Sequence, residues 1–488
     1  MSMKPTLPLL LAATALCACA VGPNYHRPSA PISPTFKEAA GWTPAAPADA
    51  LDRGDWWTLF GDPVLNGLEQ KVQVSNQNII AAEAAYREAR AVVKQDQAQL
   101  FPTITANGNF TESGGGRGSG GTVVGTVISG AGGGATRQYR ASIGGTWEPD
   151  IWGAIRRQIE GAKANAQVSE ATLANARLSA QGELATDYFG LRQVDVAISI
   201  ENGIIADYQR SLTITKNRFN AGVAPHSDLL QAQTQLTNAQ SDLAGLTQQR
   251  ANFEHAIAVL TGEAPGNFSL PALTSWAPKT PDVPPGVPST LLQRRPDIAA
   301  AERRVAAANA QIGVQVSAYF PTVTLTGSYG YSARELGGLI SASNNIWSFG
   351  LSAAETLLDF GARRARVNEA KATHDQTVAQ YRETVLEALQ DVEDQLAATR
   401  VLAQQAALQQ QSFEAADQVQ KMFANRYAAG QIAYTDVVTA QTTAYQAQRA
   451  LIQTAAQRQS TAVALIQALG GGWHAPHSPP PPPASGGR

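Results

Sequence analysis

Two short stretches of this chain carry opposite charges at a fixed spacing. Asn217-Arg218-Phe219-Asn220-Ala221-Gly222 is followed by Ser227-Asp228, and Asn425-Arg426-Tyr427-Ala428-Ala429-Gly430 by Tyr434-Thr435-Asp436. The two stretches lie 208 residues apart. An arginine before a glycine turn and an aspartate after it do not make or break bonds. They satisfy helix ends: a cation favours the C-terminus of one helix and a carboxylate the N-terminus of the next. The chemistry these residues offer on their own is helix capping.

No other residues assemble into a reactive centre. The six histidines are His26, His226, His255, His374, His474 and His477, and no two share metal-ligand spacing on a helix. The run Gly114 to Gly121 follows a strand without opening a helix and offers no Lys-Ser/Thr pair, so it is not a phosphate loop. The two cysteines, Cys17 and Cys19, leave the rest of the chain without a disulfide framework or a cysteine metal site. A net charge of −2 gives no electrostatic case for nucleic-acid binding. The sequence reads as a non-enzyme with no cofactor and no metal.

The N-terminus carries an address. Lys4 precedes a short apolar run from Leu7 to Leu16, too short for a membrane span of about 20 residues. Leu16-Cys17-Ala18-Cys19 resembles a bacterial lipoprotein cleavage box, which makes residues 1–18 a signal peptide and Cys19 the lipidated first residue. Cys17 as the anchor, or an ordinary secretory signal that discards both cysteines, are the alternatives. Ala20 follows Cys19 in place of the aspartate that commonly holds a lipoprotein at the inner membrane. Mean hydropathy is −0.17 and no later stretch approaches a spanning helix. A lipidated chain of this kind either sits on a membrane or crosses it as strands.

The elements that hold the charged turns are themselves duplicated. Leu100-Phe101-Pro102-Thr103 returns as Tyr319-Phe320-Pro321-Thr322, 219 residues on. After each Phe-Pro the sequence alternates. Ile104, Ala106, Gly108 and Phe110 oppose Thr103, Thr105, Asn107 and Asn109; Val323, Leu325, Gly327, Tyr329 and Tyr331 oppose Thr322, Thr324, Thr326 and Ser328. A second strand in each half repeats the pattern, with Tyr139, Ala141, Ile143, Gly145 and Trp147, and with Trp347, Phe349, Leu351 and Ala353, on the apolar side. Runs of about ten residues with period two suit strands that cross a bilayer. Four strands cannot close a barrel, and open edges in lipid leave backbone groups unpaired. Closure needs further copies: two give eight strands and three give twelve. The loops Ser113 to Thr136 and Ala333 to Asn345 read as extracellular.

Nearly everything else predicts helix. Long rods run from Gly153 to about Phe219 and from Ala362 to about Tyr427, with shorter stretches at Pro63 to Gln99, His226 to Leu260, Ser289 to Ala318 and Tyr434 to Leu469. Roughly 65 residues of helix span about 100 Å. The rods are rich in alanine and thinly apolar, as Ala162, Ala164, Ala166, Ala171, Ala174 and Ala176 illustrate. Such helices pack closely while their other faces stay wet, as in a curved wall with water on both sides. A plain coiled-coil spacer is the competing reading. The boundaries follow: 19–62 an extended lipidated segment, 63–270 a first repeat with a hairpin at 102–148, and 271–287 a proline-rich linker. A second repeat occupies 288–470 with a hairpin at 321–357, and 471–488 is a proline-rich tail.

Three motifs complete the reading: Cys19-Ala20-Val21-Gly22-Pro23-Asn24-Tyr25-His26-Arg27-Pro28, Trp56-Trp57-Thr58-Leu59-Phe60-Gly61-Asp62-Pro63, and Leu292-Gln293-Arg294-Arg295-Pro296-Asp297-Ile298. Together these resemble the TolC-like outer membrane efflux proteins, in the lipidated NodT-type branch that serves resistance-nodulation-division (RND) pumps. The resemblance implies an α+β membrane fold, a homotrimer with a twelve-stranded barrel continued by a helical periplasmic tunnel. It implies a periplasmic adaptor and an inner-membrane RND pump as partners, and passive export of drugs or small toxic compounds. It makes Arg218, Asp228, Arg426, Tyr434, Thr435 and Asp436 the polar contacts of the periplasmic aperture, where charges also bias which ions pass; their reading as helix caps stays open. It makes Gly222, Val223, Gly430 and Gln431 the adaptor-contact tips, with Gln431 departing from the usual apolar residue. A duct of a type I protein-secretion exporter and a non-conducting lipid-anchored coiled-coil scaffold are the alternatives.

Overall fold

A computed structural model describes residues 20–39, 55–113, 136–281, 283 and 294–471. The signal peptide, Cys19, most of the first hairpin loop, part of the proline-rich linker and nearly all of the tail lie outside them. In chain order the elements are α1 (Pro63–Ser75), α2 (Gln77–Ala98), β1 (Thr103–Ser113), β2 (Thr136–Trp147), α3 (Ala154–Asn220) and α4 (His226–Leu260). Then come α5 (Pro296–Ser317), β3 (Thr322–Ala333), β4 (Asn345–Ala354), α6 (Ala362–Ala428) and α7 (Tyr434–Ala468). Helices α3 and α6 are each 67 residues long, and α4 and α7 are each 35.

One expectation needs correction. The stretch Pro63 to Gln99 is two helices, not one. Asn76 is extended, and its side-chain oxygen accepts from the Asn78 and Ile79 amides (3.0 and 3.2 Å) while its amide group donates to the Leu260 carbonyl at 2.9 Å. A side chain that caps the next helix breaks the one before it. The helix expected to begin at Ser289 falls there outside the described residues. Its described start is Pro296, a first-turn position where the missing N–H costs nothing.

The chain divides into two compact units. The first comprises Met1–Arg27, Glu88–Ala166 and Arg303–Val378. It holds an antiparallel sheet in the order β1-β2-β3-β4. The registers place apolar residues of all four strands in line: Ala106 opposite Ile143, Ile143 opposite Tyr329, and Tyr329 opposite Trp347. Phe110 lies opposite Tyr139, their rings 4.7 Å apart. This face is bare. Trp347 is 75% exposed and Phe349 72%. A sheet of a water-soluble domain would bury such a face on a core. The opposite face is polar, with Ser328 and Ser348 hydroxyls 2.8 Å apart and Gln138 donating to Ser332 at 3.1 Å.

Where β2 passes into α3, Asp150 accepts from the Ile155 and Arg156 amides, and the Trp152 ring stacks on Phe320 at 4.8 Å. The Val21-Gly22-Pro23-Asn24 segment is strapped to this junction. Val21 donates to the Trp152 carbonyl at 3.0 Å, buried Arg157 donates to Val21, Gly22 and Asn24, and Asn309 donates to the Pro23 carbonyl. Gly22 has φ +96°, and a Cβ there would meet Gly313 at 2.5 Å, so no other residue fits.

The second unit comprises Pro28–Arg87, Gln167–Glu302 and Ala379–Arg488. Trp56 and Trp57 are each 1% exposed and, with Phe60, join Phe189 and Trp276 in one aromatic core. Asp62 caps α1 through the Val64 and Leu65 amides and accepts from the Tyr188 hydroxyl at 2.6 Å. Arg295 pairs with Asp297 and Asp391 and donates to the Ala468 carbonyl. The aromatic motif and the Arg-Pro-Asp motif are thus packing and clamping devices.

Candidate functional site at the interhelical turns

The charged stretches form the α3–α4 and α6–α7 turns, both within the second unit. Each long helix ends the same way. Gly222 donates to the Phe219 carbonyl and Val223 to the Arg218 carbonyl; Gly430 donates to Tyr427 and Gln431 to Arg426. This double closure requires a left-handed residue, and the glycines sit at φ +74° and +75°. Nothing lies within 4 Å of the point where a Cβ would stand at either glycine, so the backbone angle alone demands glycine. Arg218 and Arg426 lie in the last helical turns, Asp228 and Asp436 in the first turns that follow.

The side chains part company there. Arg218 reaches the other half of the chain: its Nη1 donates to the Tyr427 carbonyl at 3.0 Å, and its guanidinium lies 4.7 Å above the centre of the Tyr427 ring. The Tyr427 hydroxyl lies 3.4 Å from Thr215 Oγ1. Its ring is 5.4 Å from that of Tyr434, which is 1% exposed. Ala232, Val437 and Val438 bury the pair, with Leu212 and Ile432 packed alongside. Burial pushes the pKa of the Tyr434 hydroxyl up to about 12, and the neighbouring Tyr427, Tyr208 and Asp228 charges push the same way.

Of the six residues that the sequence offers as aperture contacts, the fold brings Arg218 and Tyr434 together on Tyr427, and the Asp228 charge acts on the Tyr434 hydroxyl. Arg426, Thr435 and Asp436 are exposed. Among the described residues, no hydrogen bond or ion pair engages the side chains of Arg426 and Asp436, and Asp228 meets only the Ser227 hydroxyl, at 3.5 Å. The tips Gly222, Val223, Gly430 and Gln431 are all exposed, Val223 by 66%.

A second rung lies further along the same helices, and the sequence reading missed it. Tyr208 and Tyr445 meet edge to face at 5.9 Å, the Tyr445 hydroxyl donates to Asp207 at 3.0 Å, and Arg449 pairs with buried Glu201 and with Asp242. These residues are not duplicated at 208 residues, so the internal repeat gave no signal for them. Tyr427 was visible as a repeat residue; its docking with Arg218 was not.

What the chain offers is a set of polar and aromatic latches between helix ends in one unit and a bare apolar sheet face in the other. The sequence matches the outer membrane efflux protein family over residues 68–263 and 287–471. The chain belongs to that family. It is 29% identical over 475 residues to the probable efflux pump outer membrane protein TtgC of Pseudomonas putida, covering 96% of each chain. It is 28% identical to the outer membrane protein OprJ of Pseudomonas aeruginosa over 468 residues, covering 95% of each. Among solved structures, the outer-membrane channel OprN aligns with a TM-score of 0.84 at 28% identity, covering 93% of this chain and 99% of that one. This efflux protein is therefore an outer membrane channel that extends into the periplasm.

Proposed function

We propose that this efflux protein is the outer-membrane duct of a tripartite RND-type system, passing drugs and small toxic compounds outward without catalysis. It closes as a homotrimer: three sheets of four strands make a twelve-stranded barrel, and the interhelical turns of the periplasmic end form the aperture. Its two halves are structural repeats with the boundaries read from the sequence. A periplasmic adaptor contacts the tips at Gly222, Val223, Gly430 and Gln431 and links the duct to the inner-membrane pump. Cys19 carries the lipid anchor. Ala20 supports that reading, because it packs beside Gly153 in the short connection from β2 to α3.

The observation that carries the proposal is the open sheet, whose edge strands β1 and β4 pair with no further strand among the described residues, and its bare apolar face. Unpaired strand edges are not tolerated in a bilayer. Light scattering of the detergent-solubilised protein is expected to give three chains per particle, and planar bilayers to show discrete conductance steps. A monomer sinks the trimer; a silent trimer favours the scaffold reading. Metabolic labelling with palmitate, abolished by Cys19→Ala, tests the anchor.

A further inference from the structure

The four strands are almost free of charge. Of their residues, only Glu112, Arg137 and Arg140 are ionised at neutral pH. Glu112 and Arg137 stand opposite each other in the register and pair at 3.0 Å, on the side of the sheet that carries Phe110 and Tyr139. Arg140 is on the other side, between Asn109 of β1 and Ser332 of β3. Gly144 shares that side of β2. A Cβ there would stand 3.8 Å from Ser328 Cβ and 3.9 Å from Thr105 Oγ1, so the side is the polar one. The other members of this face are threonine, serine, asparagine, glutamine and glycine, with Ile346 and Ala354 on β4. Arg140 is exposed, and its guanidinium has no hydrogen-bond or ion-pair partner among the described residues. Gln138, beside it on the face, donates to Ser332 instead. The sheet therefore gains no contact from this charge, and neutral side chains fill every neighbouring position of the face.

We propose that Arg140 is a selectivity residue of the duct: its three copies form a ring of positive charge in the barrel lumen that favours anions, small organic carboxylates among them, over cations. This rests on the homotrimeric duct proposed above, with the polar sheet face turned to the lumen. A charge on the lumen side of a membrane strand tunes which solutes pass, and rings of arginine suit anions. The guanidinium offers its N–H donors in a fork that matches a carboxylate. One ring acts across the whole lumen. Twelve strands about 4.8 Å apart, tilted by about 40°, make a wall roughly 12 Å from the axis. An arginine carries its charge inward from that wall, so the axis lies within about 10 Å, one Debye length at about 0.1 M salt, of all three guanidiniums. Three screened unit charges at that range enrich a monovalent anion on the axis by about two- to fourfold.

The test is the reversal potential of the full-length protein in planar bilayers across a gradient of potassium chloride, and then of potassium benzoate. At about 0.1 M salt, Arg140→Gln is expected to lower the anion-to-potassium permeability ratio by about two- to fourfold, and Arg140→Glu to lower it further. The difference is expected to shrink at about 1 M salt, where the Debye length falls to about 3 Å. The same comparison in an Asp228→Ala, Asp436→Ala background keeps charge at the interhelical turns from masking the barrel. Arg140→Cys changes the charge after folding: an aminoethyl methanethiosulfonate is expected to restore the anion preference, and a sulfonatoethyl one to reverse it. The wild type treated with each reagent reports any background. Variants that conduct with an unchanged ratio in both backgrounds overturn the ring. So does a conducting Arg140→Cys protein whose thiol neither reagent reaches. A wild-type particle of one chain, or a trimer that never conducts, overturns the duct itself, and the ring with it.

Discussion

The two interhelical turns share a backbone and differ in everything attached to it. Both close on a glycine at nearly the same φ, through the same pair of amide-to-carbonyl bonds. Yet Tyr427 and Tyr434 are buried under Arg218 and Leu212, whereas Phe219 and His226 stand against solvent. The backbone turn is a local solution, fixed by glycine and the end of a helix. The side-chain environment is set by which neighbour lies across the gap, and the first turn lacks one among the described residues. A duplicated half therefore does not make duplicated surroundings.

The largest test of that contrast is Tyr434→Ala against His226→Ala. Removing the buried ring is expected to cost about 3–5 kcal/mol, and the exposed one about 1 kcal/mol or less. Denaturant midpoints at fixed detergent measure both; equal losses would erase the distinction. Arg218→Ala comes next. It removes a charged donor from the Tyr427 carbonyl, which keeps its bond from the Gly430 amide, and a ring contact, worth about 1–3 kcal/mol together. Arg218→Lys keeps the charge but loses the planar group over the ring, and is expected to recover only part of this.

The glycines sharpen the comparison from the other side. Gly222→Ala and Gly430→Ala each force an alanine into the left-handed region, at about 1–2 kcal/mol. Because both sites are sterically open, the two losses are expected to match. A clear difference in denaturant midpoint would show that the turns are not backbone equivalents. The smallest effect is in alkali. The fold holds the Tyr434 proton more tightly than an unfolded chain does, with an ordinary tyrosine near 10. The stability this contributes is complete below about pH 10 and fades as the pH rises through about 12. Tyr434→Phe is expected to flatten that part of the profile, while His226→Phe leaves it unchanged.

Much of this was legible in one sequence because it is written in local periods. Strand alternation from Thr322 to Tyr331, the proline-free runs of α3 and α6, and the Asn-Arg…Gly…Asp repeat each depend on neighbours within a few residues. The break at Asn76 was not legible, because its local cap on Asn78 and Ile79 is held in place by a bond to the Leu260 carbonyl nearly two hundred residues away. Sequence alone offers Arg218 as a pore contact or a cap; its docking on Tyr427 requires knowing which helix ends lie together.

The sequence by itself determined the strands, the long helices and the two glycine turns, since backbone propensity and side-chain period act over short distances. Only the tertiary structure decided that Arg218 is engaged while Arg426 has no side-chain partner among the described residues, and that Tyr434 is buried while His226 is not. The physical reason is that identical local segments acquire burial and partners from whatever packs across from them, and packing is a property of distant residues.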